Sequence, residues 1–290
     1  MNALTKLGFS EDTKLLIIHA DDAGLAHAEN QATMQALAKG EVNSCSIIMP
    51  CPWFYEMIEF AKHNRPYDYG IHLTLTCEWK HYKWQPLLPI SEVPSLVDKN
   101  GFMHRTRNAF KEAALVKDVE KELYAQIEKA LTFGLKPSHL DLHMSALILR
   151  PDLIALYRDL GHTYKLPILL NKQLMTFFGV NADECLLQDD LCVDNLFVGD
   201  YKVFEQGELA AYYAHILENL PVGLNQILIH PAFNSREMQG ITVEHPNFGA
   251  EWRQIDYDYF TSIECRSLIE KNNIQMITWR TIKDVLYGLS

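Results

Sequence analysis

The sequence predicts an α/β fold on a parallel sheet of about seven strands, and three observations carry that prediction. Seven short apolar runs alternate with stretches of helical periodicity. Such strand–helix–strand units cross over right-handedly and set their strands parallel. Four of the runs end in polar clusters: Asp21-Asp22, His72, the alternating His139, Asp141 and His143, and His230. In α/β folds the chemistry collects at the carboxyl ends of strands. Four such ends meeting at one site favour a barrel, complete or incomplete, over an open sheet.

Each element has a local cause. A strand over residues 14–20 rests on Leu-Leu-Ile-Ile, and a helix over 26–39 stops near Gly40. The run 42–49 reads as the second strand, a helix follows Pro52 to about His63, and 69–74 is the third strand. A long helix over 116–133 is ended by Gly134 and Pro137. The fourth strand is 138–142, a helix opening on Pro151 runs to 160, and a short fifth strand is 167–170. A helix over 208–219, a sixth strand over 225–230, a helix over 257–272, a seventh strand over 274–278 and a last helix over 282–287 complete the chain. Two stretches break the rhythm: the aromatic segment 77–110 and the segment 171–201, acidic at its centre. Both read as long loops placed to cover the carboxyl face, since loops beyond ~12–15 residues usually serve a site or move.

One catalytic domain over residues 1–290 is expected, because no Pro/Gly/Ser linker or composition break divides the 290-residue chain. Apolar residues at 48% suffice for a sizeable core. The net charge of −11 argues against nucleic acid or anionic membrane as a partner, because both require basic patches. Residues 1–13 show no apolar leader core, and no apolar run approaches the ~18–20 residues of a membrane span. Six dispersed cysteines without Cys-x-x-Cys spacing read as small buried residues of a reduced, cytoplasmic protein.

Two adjacent carboxylates leaving a buried strand repel each other unless a cation or a hydrogen-bond network absorbs the charge. Asp21-Asp22 therefore reads either as a helix N-cap with a solvated neighbour, or as one carboxylate on a metal and one free to take a proton. At period two, His139, Asp141 and His143 share one face of their strand while Leu140 and Leu142 take the other. Three ionisable groups on one buried face need partners: one another, or a metal ligand with supporting groups. His72 and His230 mean little alone. Beside Asp22 and His143, His72 completes one carboxylate and two imidazoles, which leaves positions open for water and substrate. His230 ends its strand as a candidate proton donor. Phosphate loops and a nucleophile elbow are absent from the sequence.

At these residues the chain resembles the YdjC-like carbohydrate deacetylases, the family that includes chitooligosaccharide deacetylase. The matches are Ala20-Asp21-Asp22-Ala23-Gly24, Gly70-Ile71-His72-Leu73-Thr74, Lys136-Pro137-Ser138-His139-Leu140-Asp141-Leu142-His143 and Ile229-His230-Pro231. Their order and spacing agree across nearly the whole chain. The resemblance implies a deformed (β/α) barrel related to those of polysaccharide deacetylases, and one divalent metal ion on Asp22, His72 and His143. The nitrogen ligands favour Zn2+, and a carboxylate with open water positions also suits Mg2+. The resemblance also implies Asp21 as general base and His230 as general acid; the residue pattern itself makes His139 and Asp141 the groups that support the ligands. After His143 the chain reads Met144-Ser145-Ala146-Leu147, where better-known members carry further histidines.

The residues support the same chemistry. A metal-activated water would give a proton to Asp21 and attack an acetamide carbonyl, and His230 would protonate the leaving amine. The expected partner is a small N-acetylated amino sugar or short oligosaccharide, and a homodimer is left open. An esterase or another amidase on the same site is one alternative, and a catalytically silent sugar-binding protein is another. A binder, however, needs neither base nor acid. Trp79, Trp84 and Arg253 are the expected substrate contacts, with the aromatic loop 79–84 and the acidic loop 183–200 forming the pocket rim.

Overall fold

The computed structural model describes residues 3–288. Seven parallel strands form its sheet: β1 (Lys14–Ala23), β2 (Ser44–Ile47), β3 (Tyr69–Leu73), β4 (Leu140–Leu142), β5 (Asn195–Val198), β6 (Gly223–Ile229) and β7 (Gln275–Met276). Their order is β4-β3-β2-β1-β6-β5, with β7 also on β1. One edge of β1 is shared: β7 pairs with Leu15 and Leu16, and β2 takes over from His19 onward. The outer strands are joined through residues 167–170. Leu140 bridges Ile168, and the Val193 N–H donates to the Leu170 carbonyl at 2.9 Å. The curled sheet is thus a barrel deformed at this thin seam.

β1 is apolar on both faces because both are covered. Leu16 and Ile18 pack outward with Ile47, Ile71 and Ile227. Leu15 and Ile17 belong with Leu4, Leu224 and Trp279 to a separate core at the amino end of the strands. Burying each such side chain contributes roughly 1.5–3 kcal/mol.

Several elements differ from expectation. The run 167–170 makes a single bridge rather than a strand, and the fifth strand lies inside the segment expected to be a loop. Asn195-Leu-Phe-Val is too short, between acidic neighbours, to stand out by pattern. The same segment holds helices Lys172–Phe177 and Ala182–Cys185, capped by the Asn171 and Asn181 side chains. The helix expected over 257–272 is two, Ala250–Phe260 and Ile263–Lys271, because Ser262 caps the second one. Among the described residues no helix is long and apolar enough to cross a membrane.

Candidate metal centre and active site

Along β1 the odd-numbered side chains His19 and Asp21 enter the barrel, so alternation would send Asp22 outward. A bulge prevents this. Ala20 pairs with Cys45 and Ala23 with Ile47, leaving three steps of β1 against two of β2. Asp22 takes φ 65°, a left-handed conformation that non-glycine residues rarely adopt. Both carboxylates consequently lie buried at the barrel's carboxyl end. Gly24 makes the following turn possible: at φ 94°, an added Cβ would lie 3.0 Å from the Phe54 Cα.

Asp22 is the hub. Its Oδ1 lies 3.0 Å from His143 Nδ1 and 3.3 Å from His72 Nε2, and its Oδ2 accepts from Arg253 Nη2 at 2.8 Å. Arg253 also donates through Nη1 to Glu29 at 2.6 Å and through Nε to the Phe248 carbonyl at 2.7 Å. Burial alone would raise the Asp22 pKa, but Arg253 and the neighbouring histidines hold it well below the usual carboxylate range. Arg253, expected as a substrate contact, lines the cavity that opens over this site but is only 1% exposed, and it serves as the counter-ion of Asp22 and Glu29.

The donor set fits a cation. Asp141 Oδ1 engages His72 Nδ1 at 2.8 Å, so the Nε2 lone pair of His72 faces Asp22 Oδ1. Two lone pairs facing each other in a buried site call for a proton or a metal ion between them. Burial would lower the His72 pKa, yet the carboxylates of Asp141 and Asp21 carry it well above the ordinary value. His143 is raised to about 9 by Glu78 and Asp22 against the same opposition from burial. Ligand-type atoms of Asp22, His72 and His143 all lie within 4.8 Å of one another, so these three could hold a metal ion.

Asp21 differs from its neighbour. Its Oδ2 is 3.7 Å from His230 Nε2, and its Oδ1 is 3.2 Å from His19 Nε2 without hydrogen-bond alignment. It keeps acceptor capacity that Asp22 has spent. His230 ends β6, where its backbone N–H donates to Asp256 at 2.8 Å. Burial lowers its pKa to about 4, so its imidazole rests neutral. Below these groups, Asp141 also meets His19 at 2.8 Å and Ser46 at 2.7 Å. His139 lies deeper still, stacked on Trp279 and edge-on to His19, with Nδ1 on the Ser138 hydroxyl at 2.8 Å. Its ring is tolerated only because residue 70 is glycine, since a Cβ there would lie 2.4 Å from His139 Nε2.

A cavity of about 630 Å³ opens over this cluster, with Asp21, Asp22, His72, His143 and His230 among its lining. Trp79 lines it, under the Arg253 guanidinium at 5.4 Å. Trp84 is not part of the lining and meets His143 edge to face with ring centres 5.9 Å apart, in the apolar cluster that also holds Trp79. Segment 171–201 contributes an apolar wall that includes Leu174, Phe177, Phe178, Leu196 and Val198 rather than an acidic rim. Its acidic residues serve the fold: Asp190 pairs with Arg158, Asp194 accepts from the Leu224 N–H, and Asp200 caps a helix. Trp79→Ala is therefore expected to raise KM for the substrate and, because Trp79 is itself only 1% exposed, to destabilise as well. Trp84→Ala should chiefly destabilise, by about 3–5 kcal/mol. Steady-state kinetics beside denaturant titration separates the two, and the reverse pattern would exchange their places.

A family model described as YdjC-like protein matches residues 15–271. The chain belongs to the YdjC-like family. It is 31% identical to a carbohydrate deacetylase of Thermus thermophilus, over 99% of this chain and all of the relative. It is also 31% identical to a chitooligosaccharide deacetylase of Yersinia enterocolitica over 162 residues, 55% of this chain and 60% of that one. A solved structure from Enterococcus faecalis, provisionally assigned to cellobiose-phosphate cleavage, superposes with a TM-score of 0.79 at 27% identity. The superposition covers 93% of this chain and 99% of that one.

In this YdjC-like chain, sequence reasoning missed Glu29 and Glu78. Glu29 lies in the first turn of a helix, where an acidic residue normally means only a favourable dipole contact. Glu78 lies in an irregular loop, where no periodicity marks it. Their partners, Arg253 and His143, are 224 and 65 residues away in sequence.

Proposed function

We propose that this chain is a metal-dependent carbohydrate deacetylase that removes an acetyl group from an N-acetylated amino sugar or short oligosaccharide. One observation carries the reading. Of two adjacent buried carboxylates, Asp22 is fully engaged by two imidazoles and a guanidinium, while Asp21 remains open toward the cavity and His230. That division suits one ligand and one base. The relatives, a carbohydrate deacetylase and a chitooligosaccharide deacetylase, support it.

Asp22, His72 and His143 would hold the ion, and two imidazole nitrogens suit Zn2+ while a carboxylate with open positions also suits Mg2+. When bound, the ion would supply Lewis acidity that lowers the pKa of water and polarises the amide carbonyl. Asp21 then accepts the proton of the attacking water. His230, neutral at rest, takes over the proton that Asp21 accepted from the water, across 3.7 Å, and delivers it to the leaving amine, which returns Asp21 to its carboxylate. Arg253 keeps Asp22 ionised and oriented throughout. Trp79, only 1% exposed, backs the cavity wall beneath Arg253 and would shape the space a sugar ring enters.

The test is acetate release from a panel of acetylated amino sugars, together with elemental analysis of the purified protein. Acetate should appear with a wild-type protein holding about one divalent ion, and His143→Ala should lose both metal and turnover. Full metal occupancy in His143→Ala would remove that residue from the site. Ester hydrolysis without amide hydrolysis would transfer the reading to an esterase.

A further inference from the structure

His143 lies between two carboxylates. Its Nδ1 is 3.0 Å from Asp22 Oδ1, and its Nε2 is 2.9 Å from Glu78 Oε2. Glu78 is 9% exposed, in the loop after β3. Its main chain is held on both sides: the Cys77 N–H donates to the His104 carbonyl at 2.9 Å, and the Arg105 side chain donates through Nε to the Glu78 carbonyl at 3.0 Å. Trp84 and His143 meet edge to face, with ring centres 5.9 Å apart.

His72 has the matching arrangement. Asp141 holds its Nδ1 at 2.8 Å and turns its Nε2 toward Asp22. Each imidazole is thus backed by a carboxylate on the nitrogen that faces away from Asp22. The inward nitrogen differs, Nε2 in His72 and Nδ1 in His143, and the placement of the two backing carboxylates accounts for the difference. Glu78 stands outside the set of atoms that converge with Asp22, His72 and His143.

We infer that Glu78 is a positioning residue for the metal site: by accepting the N–H at Nε2 of His143, it fixes the tautomer whose Nδ1 lone pair faces Asp22. A neutral imidazole carries one N–H, and the hydrogen bond on one nitrogen decides which nitrogen is left to ligate. Without Glu78 the proton can move to Nδ1, where Asp22 would hold it and the ligand nitrogen would be lost. The inference rests on the metal site proposed above.

The experiment titrates Zn2+ alone into metal-stripped full-length protein by calorimetry, without substrate. Glu78→Ala should weaken Zn2+ binding about 10–100-fold, and Glu78→Gln, whose amide oxygen can still accept, should restore part of it. Unchanged affinity in Glu78→Ala overturns the role. A wild-type protein that takes up neither Zn2+ nor, in a parallel titration, Mg2+ overturns the metal site and this inference together, whatever acetate assays show. Nitrogen NMR of the zinc-loaded wild type gives a second reading that needs no variant. It should find His143 protonated at Nε2 and metal-bound at Nδ1, and an unprotonated Nε2 overturns the assignment even if Glu78→Ala fails to fold.

Discussion

Asp21→Asn is expected to lower kcat by about 10²–10⁴-fold while the protein keeps its metal. The substitution preserves shape and removes only the ability to accept a proton. Asp21 can be altered this way because its contacts are loose: His230 stands 3.7 Å away, and His19 is close but misaligned. Asp22→Asn should behave differently. Its Oδ1 faces both His72 and His143, and its Oδ2 carries the Arg253 ion pair, so metal retention falls together with turnover. Metal content measured beside kcat for the two variants decides the division of labour. Loss of metal from Asp21→Asn with retention in Asp22→Asn would exchange the roles.

Arg253→Met is expected to destabilise the metal-free protein by about 3–5 kcal/mol, the usual penalty for stranding a buried charge. Glu29 is relieved by protonation, because burial already pushes its carboxyl well above the usual range. Asp22 carries most of the penalty, since burial works to raise its pKa and Arg253 is the main charge holding it down. A carboxylate depressed in the folded state stabilises the fold at pH values above its unfolded pKa. That contribution fades as pH falls through the folded pKa. The gap between wild type and Arg253→Met should therefore be widest near neutral pH and close in acid. Denaturant titrations with chelator present, run across that range, would measure it. A gap independent of pH would mean the arginine acts by packing alone.

The sequence by itself determined the ends of the strands that matter. Leu-Leu-Ile-Ile before Asp21, the His-x-Asp-x-His alternation of β4 and the Ile-His-Pro end of β6 are local patterns, readable because strand periodicity and burial act over a few residues. The parallel α/β class followed from the same patterns. Strand partners at the seam did not, because residues 167–170 and 195–198 are too short for pattern to outweigh tertiary pairing.

Within the site, alternation along β1 predicts opposite faces for Asp21 and Asp22. Only the bulge against β2 and the left-handed φ of Asp22 bring both into the barrel. Arg253 carried a charge legible in sequence, but its commitment to Asp22 and Glu29 depends on a helix 231 residues further on being packed beside β1. Trp79 and Trp84 look alike in sequence, and folding of their loop puts one on the cavity wall and the other behind His143. Short-range periodicity is written into the chain, whereas the pairing of distant charges and the facing of loop side chains arise only when the barrel closes and desolvates them together.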